Sequence, residues 1–208
     1  MLLPPLYPIT DRVLGGARPH GDLVELLISG GACWIQIREK QLPDEELIVQ
    51  VEDAIQVAKP AGVKILINDR VGVALKTKAD GIHLGQEDFP VEEARALLPH
   101  AIIGFSTHNL TQASSANSLA ADYISIGPIF PTRTKTENPS VGIDVLRRVR
   151  REVSKPLVAV GGITLENVLQ VWDAGADSVA VVSDIMKYRG HIGSRTAGYL
   201  KLWNKFHA

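Results

Sequence analysis

The chain has 208 residues, 45% of them hydrophobic and 22% charged, with a net charge of −1. That length and balance suit a single domain over residues 1–208 with a sizeable core. They exclude a partner recruited by bulk charge, so neither nucleic acid nor an anionic membrane surface is expected.

One cysteine, Cys33, rules out a disulfide within the chain and fits a reducing compartment. The opening MLLPPLYPIT lacks a basic region and is broken by prolines, which makes it a poor signal peptide. No apolar run approaches the roughly 20 residues of a membrane span. A cytoplasmic location is the expectation.

A local phrase recurs along the chain: a small or acidic pair, then a short β-rich run ending in a polar residue. GGACWIQIREK, KADGIHLGQED, AADYISIGPIF and AGADSVAVVS are four versions of it. In order, the strands read Leu6–Thr10, Trp34–Arg38, Lys64–Asn68, Gly81–Gly85, Ile102–Ser106, Tyr123–Gly127, Leu157–Gly161 and Ser178–Val182. Between them, DEELIVQVEDAIQVAK, VEEARALL and IDVLRRVRREV carry apolar residues at helical spacing. Eight alternations of short Val/Ile-rich strand and helix predict a parallel sheet covered by helices. A single (β/α)8 TIM barrel is favoured over an open doubly wound sheet, with function on the loops that leave the carboxyl ends of the strands.

Those strand ends are polar. QIREK sets Gln36, Arg38 and Lys40 at alternate positions, hence on one face, where burial without a partner is costly. The third strand ends in Asn68 and Asp69, and the fourth delivers Asp88 just past its last glycine. Either Asp alone reads equally as a helix cap, Asp69 before a helix near Arg70. Asp88 fits capping less well, because Pro90 reads as a first helical residue. As a pair on neighbouring strands they repel unless a proton or cation intervenes, and hard oxygen ligands favour Mg2+.

The fifth strand ends at Ser106. The sixth runs into GPIFPTRTKTENPSVG, the longest irregular connection, where Thr132, Thr134 and Lys135 suit an anion and Arg133 also fits a solvated charge. After the seventh strand, Gly161 and Gly162 permit close approach ahead of a helix read at LENV, and Val182 and Ser183 end the eighth. The loops after strands seven and eight are the common barrel phosphate site. His83 reads as a hydrogen-bonded core histidine, His108 as a residue orienting Ser106, Cys33 and Trp34 as packing residues, and YLKLWNKF as a closing helix. A metal with several cations suits a diphosphate leaving group, so the residues point to transfer of a group from a diphosphate to a phosphorylated acceptor.

QIREK, LINDRVGVAL, DGIHLGQED, GFSTHN, ADYISIGPIFPTRTK, VAVGGIT and AGADSVAVVS, in this order, resemble the thiamine phosphate synthase family over roughly Leu6 to Ser183. The resemblance implies an enzyme joining a hydroxymethylpyrimidine diphosphate to a thiazole phosphate, with release of diphosphate through a pyrimidine-methyl cation. Carried over, Gln36, Arg38, Glu39, Lys40, Asn68, Ser106 and Lys135 would hold the pyrimidine diphosphate. Arg38, Lys40, Ser106 and Lys135 would be the catalytic members. Thr132, Arg133, Thr134, Gly162, Val182 and Ser183 would hold the thiazole phosphate, and Asp69 and Asp88 the Mg2+.

The related thiazole tautomerases carry a histidine where this chain has Pro128. A non-catalytic regulator would show degenerate cationic or metal positions. A sugar-phosphate isomerase on a similar barrel would not need QIREK. Small-molecule substrates and a homo-oligomer are the expected associations.

Overall fold

The strands of the computed structural model, which describes residues 2–132 and 139–208, follow the predicted order. They are β1 Leu6–Pro8, β2 Trp34–Ile37, β3 Lys64–Asn68, β4 Gly81–Leu84, β5 Ile102–Thr107, β6 Tyr123–Ile126, β7 Leu157–Val160 and β8 Ser178–Val181. All belong to one parallel sheet ordered β1-β8-β7-β6-β5-β4-β3-β2. A parallel bridge between Ile9 and Gln36 joins its two edges, and the Thr10 N–H donates to the Gln36 carbonyl at 2.9 Å. The sheet thus closes into a (β/α)8 TIM barrel.

Most strands stop a residue or two before their predicted ends. The residues left over, Arg38, Gly85, Gly127, Gly161 and Val182, leave the ladder and line or border the mouth. β5 instead runs one further, to Thr107, because it stays paired with β6 through Ile126.

Side chains alternate across each strand. Ile35, Ile37, Ile65, Ile67, Ile82 and Leu84 pack outward in the main core with the helices. Tyr7, Ile9, Trp34, Leu66, Tyr123, Val158 and Ala180 fill the barrel interior.

The recurring acidic phrase has a physical cause. Asp80, Asp122 and Asp177 each stand just before a strand, and each accepts the first free N–H of the preceding strand. The donors are Ile65, Ile103 and Leu157, at 2.9, 2.8 and 2.8 Å. Lys64, Arg95 and Arg150 pair with the same carboxylates at 3.6, 2.6 and 2.8 Å. These joints lie at the amino ends of the strands, opposite the mouth.

The helices are α1 His20–Ser29, α2 Asp44–Ala58, α3 Val71–Thr77, α4 Val91–Leu97, α5 Leu110–Ser115, α6 Gly142–Glu152, α7 Val168–Asp173, α8 Ser183–Met186 and α9 Ile192–Phe206. Among the described residues no helix is long and apolar enough to cross a membrane. Asp44, Glu45 and Glu46 occupy the first turn of α2, as expected, where acids complement the helix dipole.

Three local readings are corrected. Pro90 is the N-cap of α4, not its first residue. α7 begins at Val168, because the Asn167 side chain accepts the Thr164 N–H at 2.8 Å and closes a turn first. Cys33 is exposed rather than packed, while Trp34 beside it is buried.

Candidate active site

The carboxyl ends of the strands surround a cavity that opens to solvent. Gln36, Arg38, Asn68, Ser106, Thr132, Gly162, Val182 and Ser183 all line it. So do Tyr7, His83, His108 and Ser125, which the sequence reading did not assign to the site. Strand register explains the floor: Asn68 lies beside His83 and Ser106 beside Ser125, all on the inward face. His83 is the buried, hydrogen-bonded residue expected, at 2.9 Å from both Tyr123 Oη and Ser106 Oγ, yet it also forms part of the cavity wall. A count of inward parity from Gln36 and Asn68 around the barrel would have included it.

One side of the mouth is charged. The Arg38 backbone N–H donates to Thr10 Oγ1 at 3.3 Å, and the Arg38 guanidinium lies 3.8 Å from the Asp11 carboxylate. Glu39 and Lys40 lie outside the cavity, in an adjoining groove with Asp11 and Arg12, and Arg38 lines both spaces. Lys40 Nζ meets Asp69 Oδ2 at 2.5 Å.

Asp69 does not cap α3. That helix starts from Arg70 without a side-chain cap, and the Asp69 backbone sits in the left-handed region at φ 63°. Its N–H donates to the His83 carbonyl at 2.9 Å, which ties the turn to β4. Asp88 Oδ2 accepts the Gly85 N–H at 2.6 Å, and its carboxyl is within hydrogen-bonding reach of Asp69. Burial pushes Asp88 above the usual carboxylate range; the Gly85 N–H and Lys40 pull against this, and Asp69 adds to it. The two carboxylates expected to converge do so.

Glu39 turns away from the mouth toward Arg12 at 3.5 Å and His20 at 3.7 Å. Burial raises its carboxyl, but the Gln41 N–H, His20 and Arg12 outweigh it and hold Glu39 below the usual range. His20 is fully buried with Nδ1 2.9 Å from Thr10 Oγ1, and burial lowers it from 6.5 to about 4. It is therefore neutral at pH 7, and its contact with Glu39 is no ion pair there. Gln86 donates to the Ser106 carbonyl, linking the Asp88 turn to β5.

The opposite side is built from backbone. Gly161 and Gly162 have φ of 98° and 65°. A Cβ on Gly161 would meet Pro128 at 2.5 Å, and one on Gly162 would meet Phe130 at 2.7 Å. Both positions therefore need glycine for conformation and for space. The loop after β6 is pinned there, with the Phe130 N–H donating to the Gly161 carbonyl at 3.0 Å and the Val141 N–H to the Pro128 carbonyl at 2.8 Å.

The N–H groups of Gly162 and Ser183 find no acceptor among the described residues. Ser183 opens α8, and Asp184 behind it is buried, held by Arg195 at 2.9 Å and by the Tyr199 hydroxyl at 2.6 Å. His108 does not reach Ser106 as expected. Its Nδ1 donates to the Gly127 carbonyl at 2.7 Å, and His83 takes the place beside the serine. Arg133, Thr134 and Lys135 lie outside the described residues.

Among the described residues no cluster of three or more His, Cys, Asp or Glu side chains could hold a metal. Mg2+ ordinarily takes one or two protein carboxylates with water and substrate phosphate, so the Asp69–Asp88 pair is a sufficient donor set.

Comparison with known proteins agrees with this architecture. A thiamine monophosphate synthase family profile matches residues 6–185. The thiamine-phosphate synthase of Chloroflexus aurantiacus is 43% identical over 87% of this chain and 84% of its own. That of Methanoculleus marisnigri is 42% identical over 87% of each. The solved thiamine phosphate pyrophosphorylase from Pyrococcus furiosus superposes with a TM-score of 0.90 at 34% identity, covering 98% of this chain and 96% of that one. By sequence and by fold, the chain belongs to the thiamine monophosphate synthase family.

Proposed function

We propose that the protein couples a 4-amino-2-methylpyrimidin-5-ylmethyl diphosphate to a thiazole phosphate in a Mg2+-dependent reaction, giving thiamine phosphate and diphosphate. The observation that carries this reading is a single cavity with two unlike anion-binding sides. Arg38 lines one, with Lys40 and its partner Asp69 just outside it, and backbone N–H groups form the other.

Arg38 and Lys40 meet the diphosphate across the join between cavity and groove. Asp69 and Asp88 would hold Mg2+, which when bound supplies positive charge to the departing diphosphate oxygens. Gln36, Asn68 and Ser106 hold the pyrimidine ring over the floor. Thr132 and the N–H groups of Gly162 and Ser183 receive the thiazole phosphate beside Val182. Arg133, Thr134 and Lys135 complete the two sets in this reading.

The C–O bond to the diphosphate breaks with its electron pair on oxygen. The thiazole nitrogen lone pair then closes on the pyrimidine-methyl cation. No proton leaves the reacting atoms in that step, so the reading requires no general base. The residues act by holding two substrates in line and by stabilising separated charge.

The test is incubation with both substrates, with Mg2+ and with EDTA, following diphosphate and thiamine phosphate. Product in both conditions would remove the metal from the reading. Isomerisation of the thiazole without coupling would replace it by tautomerase chemistry.

A further inference from the structure

Below the cavity, Gln36, Tyr7, Tyr123, His83, Ser106 and Ser125 form one continuous hydrogen-bonded chain. Its proton order follows from donor counting. The Gln36 amide N–H donates to Tyr7 Oη at 2.9 Å, and the Tyr123 O–H donates to the same oxygen at 3.0 Å. Burial holds both phenols far above their usual range, so both keep their protons.

Tyr123 has a single proton, already given to Tyr7. Its 2.9 Å contact with His83 Nδ1 must then be a donation from the ring N–H to the phenol oxygen. An imidazole protonated on Nδ1 carries a lone pair on Nε2. Two hydroxyls face that lone pair, Ser106 at 2.9 Å and Ser125 at 3.4 Å; the nearer, Ser106, donates into it and keeps only acceptor capacity toward the cavity it lines.

The packing is built for this contact. The His83 and Tyr123 rings stack at 5.5 Å, and a Cβ at Gly104 would lie 2.5 Å from His83 Nδ1 and 2.3 Å from Tyr123 Oη.

We propose that Tyr7 and Tyr123 are positioning residues that fix the His83 tautomer and so make Ser106 a pure acceptor, selecting a ring that brings an N–H donor to the cavity floor. The choice of ring rests on the aminopyrimidine reading above; the tautomer does not.

The test uses the whole chain labelled with 15N-histidine, observed by two-bond 1H–15N correlation at about pH 8, where an unperturbed imidazole is neutral. The His83 signal among the six histidines is the one lost in His83→Gln. In the parent protein Nδ1 is expected to be protonated. In Tyr123→Phe the proton moves to Nε2, because Nδ1 has lost its acceptor. In Tyr7→Phe the same shift is expected without any change at His83 itself, since Tyr123 then turns its proton onto Nδ1. An Nε2 proton in the parent, or an unchanged tautomer in Tyr7→Phe, overturns the inference.

Calorimetry with the aminopyrimidine diphosphate and its analogue bearing hydrogen in place of the amino group reads the consequence. The parent is expected to prefer the amino compound by about tenfold, as for one hydrogen bond left unmade. Tyr7→Phe should bring the ratio near unity; an unchanged ratio beside a shifted tautomer overturns the selecting role. If neither diphosphate binds while the tautomers behave as expected, the substrate reading fails and the tautomer assignment stands.

Discussion

On the β2–β4 side of the mouth the polar equipment consists of side chains on short turns: Arg38, Lys40, Asp69 and Asp88. On the β7–β8 side it consists of backbone, with Gly161 and Gly162 in conformations that side chains rarely adopt and Ser183 at the start of α8. The difference is one of adjustability. Long charged side chains can follow a ligand whose charge changes, whereas fixed backbone N–H groups suit an anion of constant charge. Each side also has its own buried support. His20 and Thr10 stand behind the charged side, and Asp184, Arg195 and Tyr199 stand behind the backbone side.

The comparison breaks most visibly at Asp88. Asp88→Asn keeps an oxygen for the Gly85 N–H but removes a charge. It should lower kcat about a thousandfold, the scale of losing a preorganised electrostatic group. Its thermal midpoint should hardly move, and near-parental turnover would remove Asp88 from the charged side.

Asp184→Asn should do the reverse. It sets the half-buried Arg195 against a neutral partner and should cost about 3 kcal/mol of stability in denaturant titration. The side chain lies behind Ser183, so thiazole phosphate affinity should weaken more than pyrimidine diphosphate affinity. Equal weakening would show that the two supports are not independent.

A pH titration separates the supports in a third way. His20 is lowered from 6.5 to about 4, so the unfolded chain binds more protons between those values. The stability it contributes is complete above pH 6.5 and is lost as pH falls through about 4, a loss of about 3 kcal/mol. His20→Gln should flatten that part of the profile, and an unchanged slope would assign the acid sensitivity elsewhere.

The smallest effect is expected at Gly162→Ala, where φ is 65° and Phe130 blocks the new methyl. The strain should raise KM for the thiazole phosphate about tenfold. KM for the pyrimidine diphosphate should stay put.

Much of this was legible in the sequence. Eight strand–helix alternations gave the barrel; strand-end polarity marked Gln36, Arg38, Asn68, Ser106 and Ser183, and the glycine pair marked Gly162, all of which one cavity gathers. Turn geometry was harder to read. That Asp69 takes a left-handed backbone, or that Glu39 turns from the mouth toward His20, depends on contacts between elements distant in sequence. The Tyr7–Tyr123–His83 chain was hidden for the same reason. Each residue lies in an apolar run, and only the register of the closed sheet shows that the three polar tips meet.

The aspartate joints at the far end carry a consequence for how the barrel assembles. Asp80, Asp122 and Asp177 each span only 15, 19 or 20 residues to the N–H they hold. Closing segments that short costs little chain entropy, so each of these three βαβ units can lock on its own. The Ile9–Gln36 bridge and the β1–β8 pairing instead join segments far apart in the chain, or close the barrel, and cost more chain entropy to close. These short-range joints sit at the bottom of the barrel, so the loops at the mouth are free to change without disturbing them.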